Sequence, residues 1–236
     1  MVFENYKCFM VGIPKNGTHT AFGILKNIEM QKNMQTVIAQ SANHGRMESN
    51  FLTRNGRPYD IHSHGHITYR QWEAIRNKSL NYKDFFTFSI IRNPYNRMVS
   101  IWRHKSANPT RLATPSRFQK FVNDFYNQLP IEKGPWNGLR KDTELLHNFG
   151  TQSEFLINKS GLIELDHLIR LENIEEDWNS FRKIIPSWPL FPEGYKINNK
   201  PPIDYREMYN SETVERQVYT MFQEDFEKLG YKRYEL

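Results

Sequence analysis

Short apolar runs alternate along the chain with longer segments in which apolar residues recur every three or four positions. Lys7–Ile13 contains the continuous run Cys-Phe-Met-Val-Gly-Ile, which is typical of a buried β-strand. The same pattern predicts core strands at Asp84–Ile91 and Asp166–Leu171 and a further short strand at Thr36–Ala39. Helical spacing of the apolar residues predicts a helix in each of the intervening segments. These are Thr18–Met30, Tyr69–Arg76, Tyr95–Lys105, Pro115–Leu129, Glu172–Ile185 and Glu212–Leu229.

The alternation of strands with helices favours an α/β fold with a mostly parallel sheet, because parallel neighbours are joined by helical crossovers. The chain has 236 residues and shows no internal repeat or low-complexity tract. We therefore expect a single domain spanning residues 1–236. Gln40–Tyr69 is polar and carries several glycines, which predicts a long functional loop. Loops are also expected at Pro130–Gly138 and Pro186–Pro202.

The turn after the first predicted strand reads Pro14-Lys-Asn-Gly-Thr-His-Thr20. A tight loop between a strand and a helix directs backbone N–H groups and the positive end of the helix at a bound phosphate-like anion. Lys15 stands two residues before Gly17, and Thr18 occupies the position of the Walker A lysine, so this is not the GxxxxGK[ST] loop of ATP and GTP hydrolases. A solvated loop lysine beside a helix start is the alternative interpretation of Lys15.

A second motif, Arg92-Asn-Pro-Tyr-Asn-Arg-Met-Val-Ser100, follows the predicted strand Asp84–Ile91. Its first arginine stands at the carboxyl end of the strand, where ligands bind in open α/β sheets. A guanidinium offers a planar fork of donors to a phosphate, and the hydroxyl of Ser100 adds another donor. Asp166 opens its predicted strand instead of closing it, so no carboxylate stands where a nucleotide hydrolase holds Mg²⁺.

These two motifs, in this order and each after an apolar strand, resemble those of the sulfotransferases that use 3′-phosphoadenosine 5′-phosphosulfate (PAPS). The resemblance implies a P-loop-like three-layer α/β fold and in-line transfer of a sulfonate to an acceptor hydroxyl, with no metal expected. It implies that Arg92 and Ser100 hold the 3′-phosphate and that Lys15 acts in catalysis. The loop residues that it implies as donor-binding are Lys15, Asn16, Gly17, Thr18, His19 and Thr20. Asn16 and His19 stand where the family often has threonine.

Three histidines alternate between Ile61 and Ile67, so an extended segment would place His62, His64 and His66 on one face. Solvated loop histidines and metal ligands are two interpretations, although no carboxylate or cysteine partner has a suitable spacing for a metal site. A third is catalysis, because sulfonate transfer to a hydroxyl needs a base near neutral pH.

The segment His64-Gly-His66 resembles that of the uronyl 2-O-sulfotransferases, whose second histidine is the base. The resemblance implies His66 as the base and His64 as a supporting or substrate-contacting group. Other branches of the family use a glutamate, and Glu48 in the same long segment is the alternative base.

The identity of the acceptor rests on weaker signals. Asp225–Tyr231 is similar to the end of the carbohydrate, Golgi-type branch of the sulfotransferases, and Leu168–Glu172 also resembles the family. A net charge of +6 and a pI of about 9.3 favour an anionic partner. We therefore expect a hydroxylated acceptor such as a glycan. Nucleic acid is not expected, since no run of basic residues is interleaved with aromatics.

Two other functions remain compatible with the sequence: a P-loop-type small-molecule kinase with a variant phosphate loop, and a non-catalytic nucleotide- or polyanion-binding relative. Cys8 is the one cysteine, which excludes an intrachain disulfide. No apolar run approaches the roughly 18 residues of a membrane span, and the first residues lack the features of a signal peptide. We therefore expect a soluble, cytoplasmic protein.

Overall fold

The computed structural model describes residues 1–25, 67–77, 80–105, 114–129, 150–194 and 203–233, together with the backbone of 53–54 and 57–58. The strands are β1 (Val2–Phe3), β2 (Cys8–Val11), β3 (Thr53–Arg54), β4 (Arg57–Pro58), β5 (Phe86–Ile91) and β6 (His167–Arg170). The helices are α1 (residues 18–25), α2 (Tyr69–Arg76), α3 (Pro94–Lys105), α4 (Pro115–Tyr126), α5 (Gln152–Leu156), α6 (Ile174–Ser180), α7 (Glu212–Met221) and α8 (Gln223–Leu229).

The chain divides into two compact units that interleave along the sequence. The first comprises Met1–Ile13, Gly17–Ile90 and Phe155–Ile197. The second comprises Pro14–Asn16, Ile91–Glu154 and Asn198–Leu236. The single domain expected from the sequence stays a prediction.

The first unit contains a sheet whose described strands have the order β1-β2-β5-β6. β2 and β5 are parallel, with Val11 opposite Ser89, whereas β1 is antiparallel to β2. Both central strands are short apolar runs, and all but one of their residues are buried. Asp166, just before β6, accepts hydrogen bonds from Thr87 N and Thr87 Oγ1 of β5 at 2.7 Å each. The predicted α/β class, with a mostly parallel sheet flanked by helices, is confirmed.

Helices cover both faces of this sheet within the first unit. Alternate residues of a strand point to opposite faces. Met10 and Phe88 share one face and belong to a buried core that includes α1 and, through Trp178, α6. On the opposite face the ring of Phe9 stacks on Trp72 of α2, with ring centroids 4.0 Å apart. The unit therefore has the helix–sheet–helix layering that the sequence predicted.

The second unit packs α3, α4, α7 and α8 around one apolar core. Tyr209 contributes edge-to-face contacts to both Tyr95 and Phe118, with ring centroids 5.1 and 5.0 Å apart. Glu215 is buried and accepts hydrogen bonds from the Tyr95 hydroxyl and, at 3.0 and 2.7 Å, from Nε and Nη2 of Arg233. These contacts hold α3, the helix that begins within the second sequence motif.

The prediction of a single closing helix over Glu212–Leu229 is wrong in one respect. It consists of two helices, α7 and α8, which separate at Phe222. Phe222 leaves helical geometry, with φ −119° and ψ 24°, while its side chain stays fully buried. The buried positions keep helical spacing on both sides of Phe222, so the sequence pattern has no sign of the break. Gly230 ends α8 in the left-handed region with φ 67°, as predicted.

The length predicted for the helix over Glu172–Ile185 is wrong. The α-helical part is limited to α6, and 3₁₀ turns occupy Leu171–Asn173 and Phe181–Lys183. Ser180 explains the early end, because its hydroxyl donates to the carbonyl of Asp177 at 2.7 Å. Such back-bonding to a main-chain oxygen competes with continuation of the helix.

A hairpin of β3 and β4 lies within Gln40–Tyr69, where the sequence pattern predicted a loop, and Thr53 pairs with Pro58. β1 and α5 have no predicted counterpart, because elements of two and five residues are too short to show a period. The strand predicted at Thr36–Ala39 and the loop predicted at Pro130–Gly138 lie outside the described residues. In the part of the chain that the structure describes, no helix is long and apolar enough to cross a membrane.

Candidate active site

The loop after β2 carries Lys15 on a backbone conformation that few side chains adopt. Lys15 has φ 69° and Gly17 has φ 77°, both in the left-handed region. For a residue other than glycine this region costs about 1 kcal/mol or more. The helical conformation of α1 begins at Thr18, whose hydroxyl donates to the carbonyl of Ile13 at 2.7 Å. The strand–loop–helix arrangement expected of a phosphate-binding loop is therefore present.

Arg92 lies at the carboxyl end of β5, where the chain enters α3. Asn93 caps this helix, since its Oδ1 accepts a hydrogen bond from Tyr95 N at 2.9 Å. Arg92 Nη2 donates to Asn96 Oδ1 at 2.8 Å. Residues four apart are neighbours on a helix, so Ser100 lies one turn beyond Asn96 on the same face of α3. Arg92 and Ser100 are thus arranged along one side of α3.

A direct hydrogen bond joins the two sequence motifs. Arg92 Nη1 donates to the backbone carbonyl of Lys15 at 3.0 Å, across 77 positions of sequence. The guanidinium thereby holds the carbonyl of the residue whose backbone is strained. The guanidinium of Arg92 therefore lies against the backbone of the loop that carries Lys15.

Gln152 of α5 connects the same two motifs a second time. Its Oε1 accepts hydrogen bonds from Asn16 Nδ2 at 2.6 Å and from Arg92 N at 2.9 Å. Its Nε2 donates to Arg92 O at 2.7 Å. Asn16 and Gln152 are both fully buried. The asparagine at a position where the family often has threonine therefore has a structural reason, because its amide reaches Gln152.

Two buried charged residues hold the backbone around these contacts. Arg97 of α3 donates through Nε to Pro14 O at 3.3 Å and through Nη1 to Gly150 O at 2.8 Å. Asp225 of α8 accepts hydrogen bonds from the first two backbone N–H groups of α5, at 2.9 and 2.8 Å, and from a serine hydroxyl there at 2.8 Å. One charge therefore fixes the start of the lysine loop, and the other fixes the start of α5.

Burial dominates the electrostatics of Arg97 and Asp225. It lowers the pKa of Arg97 to about 10, and the charge of Asp225 acts in the opposite direction. It raises the pKa of Asp225, while the Arg97 charge and the hydrogen bonds from α5 oppose that rise. Each charge thus favours the ionised form of the other, and removal of one leaves the other uncompensated in the interior.

The donor-binding residues implied by the sequence differ in exposure. Asn16, Thr18 and Thr20 are buried, His19 is exposed, and the remaining four, Lys15, Gly17, Arg92 and Ser100, are partly exposed. The hydroxyl proton of Thr18 is engaged by Ile13 O, so in this arrangement the hydroxyl does not serve an anion as a donor.

His62, His64, His66 and Glu48 all lie outside the described residues. Within the described ranges, no group of three or more His, Cys, Asp or Glu side chains is arranged to hold a metal ion.

Three residues that organise the candidate site have no role assigned from the sequence: Gln152, Arg97 and Asp225. Arg97 lies in the Arg92–Ser100 motif and Asp225 in the Asp225–Tyr231 segment, both of which resemble the family, so their positions could have indicated a role in the site. Gln152 carries no such signal. Its partners stand 60 and 136 positions away in the chain, and one glutamine in an unpatterned segment predicts nothing.

A family model described as the sulfotransferase family matches residues 1–232 of the 236-residue chain. The chain therefore belongs to the sulfotransferase family, and its activity is the transfer of a sulfonate group. No curated protein and no solved structure gives a significant match to the chain.

Replacement of Asp225 by alanine should lower the free energy of unfolding by about 3–5 kcal/mol, the usual effect of breaking a buried charge pair from one side. The substitution removes three hydrogen bonds from α5 and leaves Arg97 uncompensated. Urea unfolding monitored by circular dichroism measures the change in the free energy of unfolding.

Glu224→Ala is the matched control for this substitution. Glu224 is the exposed neighbour of Asp225 and pairs with Lys228 at 3.1 Å on the surface of α8. Loss of such a pair is expected to lower the free energy of unfolding by less than about 1 kcal/mol. Equal destabilisation by the two substitutions would contradict the role given to Asp225.

Proposed function

We propose that this sulfotransferase takes the sulfonate from PAPS and passes it to an acceptor hydroxyl, with His66 as the general base. The observation that carries the donor assignment is the hydrogen bond between Arg92 and the Lys15 carbonyl. PAPS bears a phosphosulfate at the 5′ position and a phosphate at the 3′ position. A donor with two anionic groups requires two cationic residues close together, and this hydrogen bond supports the proposal because it joins the guanidinium of Arg92 to the backbone of the loop that carries Lys15.

In the proposed reaction the acceptor oxygen attacks sulfur in line with the bond to the 5′-phosphate. The new S–O bond forms as the bond between sulfur and the bridging oxygen breaks, and 3′-phosphoadenosine 5′-phosphate (PAP) leaves. The hydroxyl proton passes to His66, as general-base catalysis requires. Lys15 and the backbone N–H groups of its loop stabilise the charge that develops on the bridging and peripheral oxygens. Arg92 and Ser100 hold the 3′-phosphate and thereby fix the donor.

For the acceptor we propose a carbohydrate or another hydroxylated molecule. The net charge of +6 favours an acidic acceptor, and the likeness of Asp225–Tyr231 to the carbohydrate branch of the family supports a glycan. The cytoplasmic location expected from the sequence belongs to the same proposal.

Lys15→Ala should lower kcat by about 100-fold or more, because one preorganised donor to the transition-state charge is lost. Its affinity for PAP should fall by a much smaller factor, because PAP keeps the bridging oxygen on its 5′-phosphate but lacks the sulfonate oxygens and the charge that develops in the transition state. Steady-state kinetics with PAPS and calorimetric titration with PAP separate the two effects. Lys7→Ala is the control, because Lys7 is exposed and also has a positive φ, 48°. A similar loss of kcat in both variants would reject the assignment.

Arg92→Ala should weaken PAP binding by roughly 10- to 100-fold, the effect of removing a charge-assisted contact with a phosphate. Its affinity for adenosine 5′-phosphate, which has no 3′-phosphate, should fall much less. Arg216→Ala, which removes an exposed arginine of α7, is the control and should bind both nucleotides normally. Unchanged PAP affinity in Arg92→Ala would show that the 3′-phosphate is held elsewhere.

His66→Ala should reduce turnover by about 100-fold or more through loss of the general base. His62→Ala removes a histidine of the same segment to which no role is assigned, so it should retain most of the activity. Transfer of labelled sulfonate from PAPS to an acceptor at saturating donor measures both variants. Full activity of His66→Ala would reject His66 as the base and favour Glu48.

A further inference from the structure

Gln152 is a buried side chain whose amide oxygen and amide nitrogen are both hydrogen-bonded. The residues that it joins belong to the two motifs of the proposed donor site. Its carbonyl oxygen accepts one hydrogen bond from the Asn16 amide and one from the Arg92 backbone N–H. Its amide nitrogen returns a hydrogen bond to the Arg92 carbonyl. Gln152 therefore binds both backbone polar atoms of Arg92 and, at the same time, the residue that follows Lys15.

We propose that Gln152 is a positioning residue that sets the separation between the Lys15 loop and the start of the Arg92 motif. This inference rests on the proposed function, since these two elements are assigned there to the two anionic ends of PAPS. Gln152 itself acts through Asn16 and Arg92 and is not proposed to contact the donor.

The contacts require a glutamine in particular. One oxygen must accept two hydrogen bonds while the atom beside it donates one, which is the hydrogen-bonding pattern of a carboxamide. Glutamate has a similar shape but cannot donate to Arg92 O when ionised. Methionine fills a similar volume and makes none of the three bonds.

The backbone of Gln152 is itself fixed, which makes the side chain an accurate spacer. Asp225 Oδ2 accepts a hydrogen bond from Gln152 N at 2.9 Å, and Asp225 is fully buried. A continuous set of contacts thus runs from α8 through α5 to Asn16 and Arg92. Packing and hydrogen bonding that lock a supporting residue are what hold binding groups in place.

The direct contact between Arg92 Nη1 and Lys15 O does not involve the Gln152 side chain, so we expect it to remain when Gln152 is replaced. Because this second connection persists, loss of Gln152 should loosen the site without removing its cationic groups. We therefore expect a change in the recognition of the 3′-phosphate and no general loss of nucleotide binding.

The test compares wild type, Gln152→Met and Gln152→Glu in calorimetric titrations with PAP and with adenosine 5′-phosphate, well below the unfolding temperature. The readout is the ratio of the two affinities, which reports recognition of the 3′-phosphate. Partial unfolding would scale both affinities together and leave the ratio unchanged. We expect the ratio to fall by about tenfold in Gln152→Met, in line with the loss of several buried hydrogen bonds. A smaller fall is expected in Gln152→Glu, which keeps both acceptor bonds.

Gln217→Met is the matched control. Gln217 lies on α7 in the same unit, and its buried Oε1 has no hydrogen-bond partner among the described residues. This variant should keep the wild-type ratio.

The outcomes separate the two proposals. If wild type prefers PAP and both Gln152 variants keep that preference, the positioning role is overturned and the donor assignment stands. If wild type shows no preference for PAP, the donor assignment fails and the positioning role fails with it. If Gln152→Met does not fold, the nearly isosteric Gln152→Glu decides, and a wild-type ratio in that variant overturns the inference.

Discussion

The candidate site depends on one requirement: two loops that leave neighbouring parallel strands must be held at a fixed distance. The carboxyl ends of β2 and β5 meet at one edge of the sheet, but a sheet does not fix the loops beyond its strands. Arg92 meets this requirement through the Lys15 carbonyl, and Gln152 does so through Asn16 and the Arg92 backbone. Because the Lys15 backbone is strained, the loop persists only where surrounding contacts determine its conformation.

Two buried charges secure this arrangement at a cost in desolvation. Arg97 and Asp225 are fully buried, and burial shifts the pKa of each towards its neutral form. Apolar side chains would avoid that cost, but they would not bind the carbonyls of Pro14 and Gly150 or the first N–H groups of α5. Their ionic character is therefore tied to the backbone positions that they hold.

The spacing of apolar residues was sufficient to predict the larger helices and strands. The elements that it did not predict were missed for physical reasons that differ from case to case. α2 coincides with the predicted Tyr69–Arg76, because Thr68 and Gln71 form a capping box at its start. The break between α7 and α8 was missed, since the buried residues on both sides of Phe222 keep one helical spacing. The hairpin of β3 and β4 was missed although Asn-Gly separates its strands in the sequence, a common hairpin signal.

The sequence by itself determined the α/β class and the sulfotransferase family and located the two motifs of the proposed donor site, because local patterns of apolar, glycine and cationic residues carry each of these signals. Only the tertiary structure decided what holds those motifs together. Gln152 lies 60 positions from Arg92 and 136 from Asn16, and its role exists only once the fold makes them neighbours. A buried amide is specified by the partners that surround it, and a single sequence does not encode such partners as a local pattern.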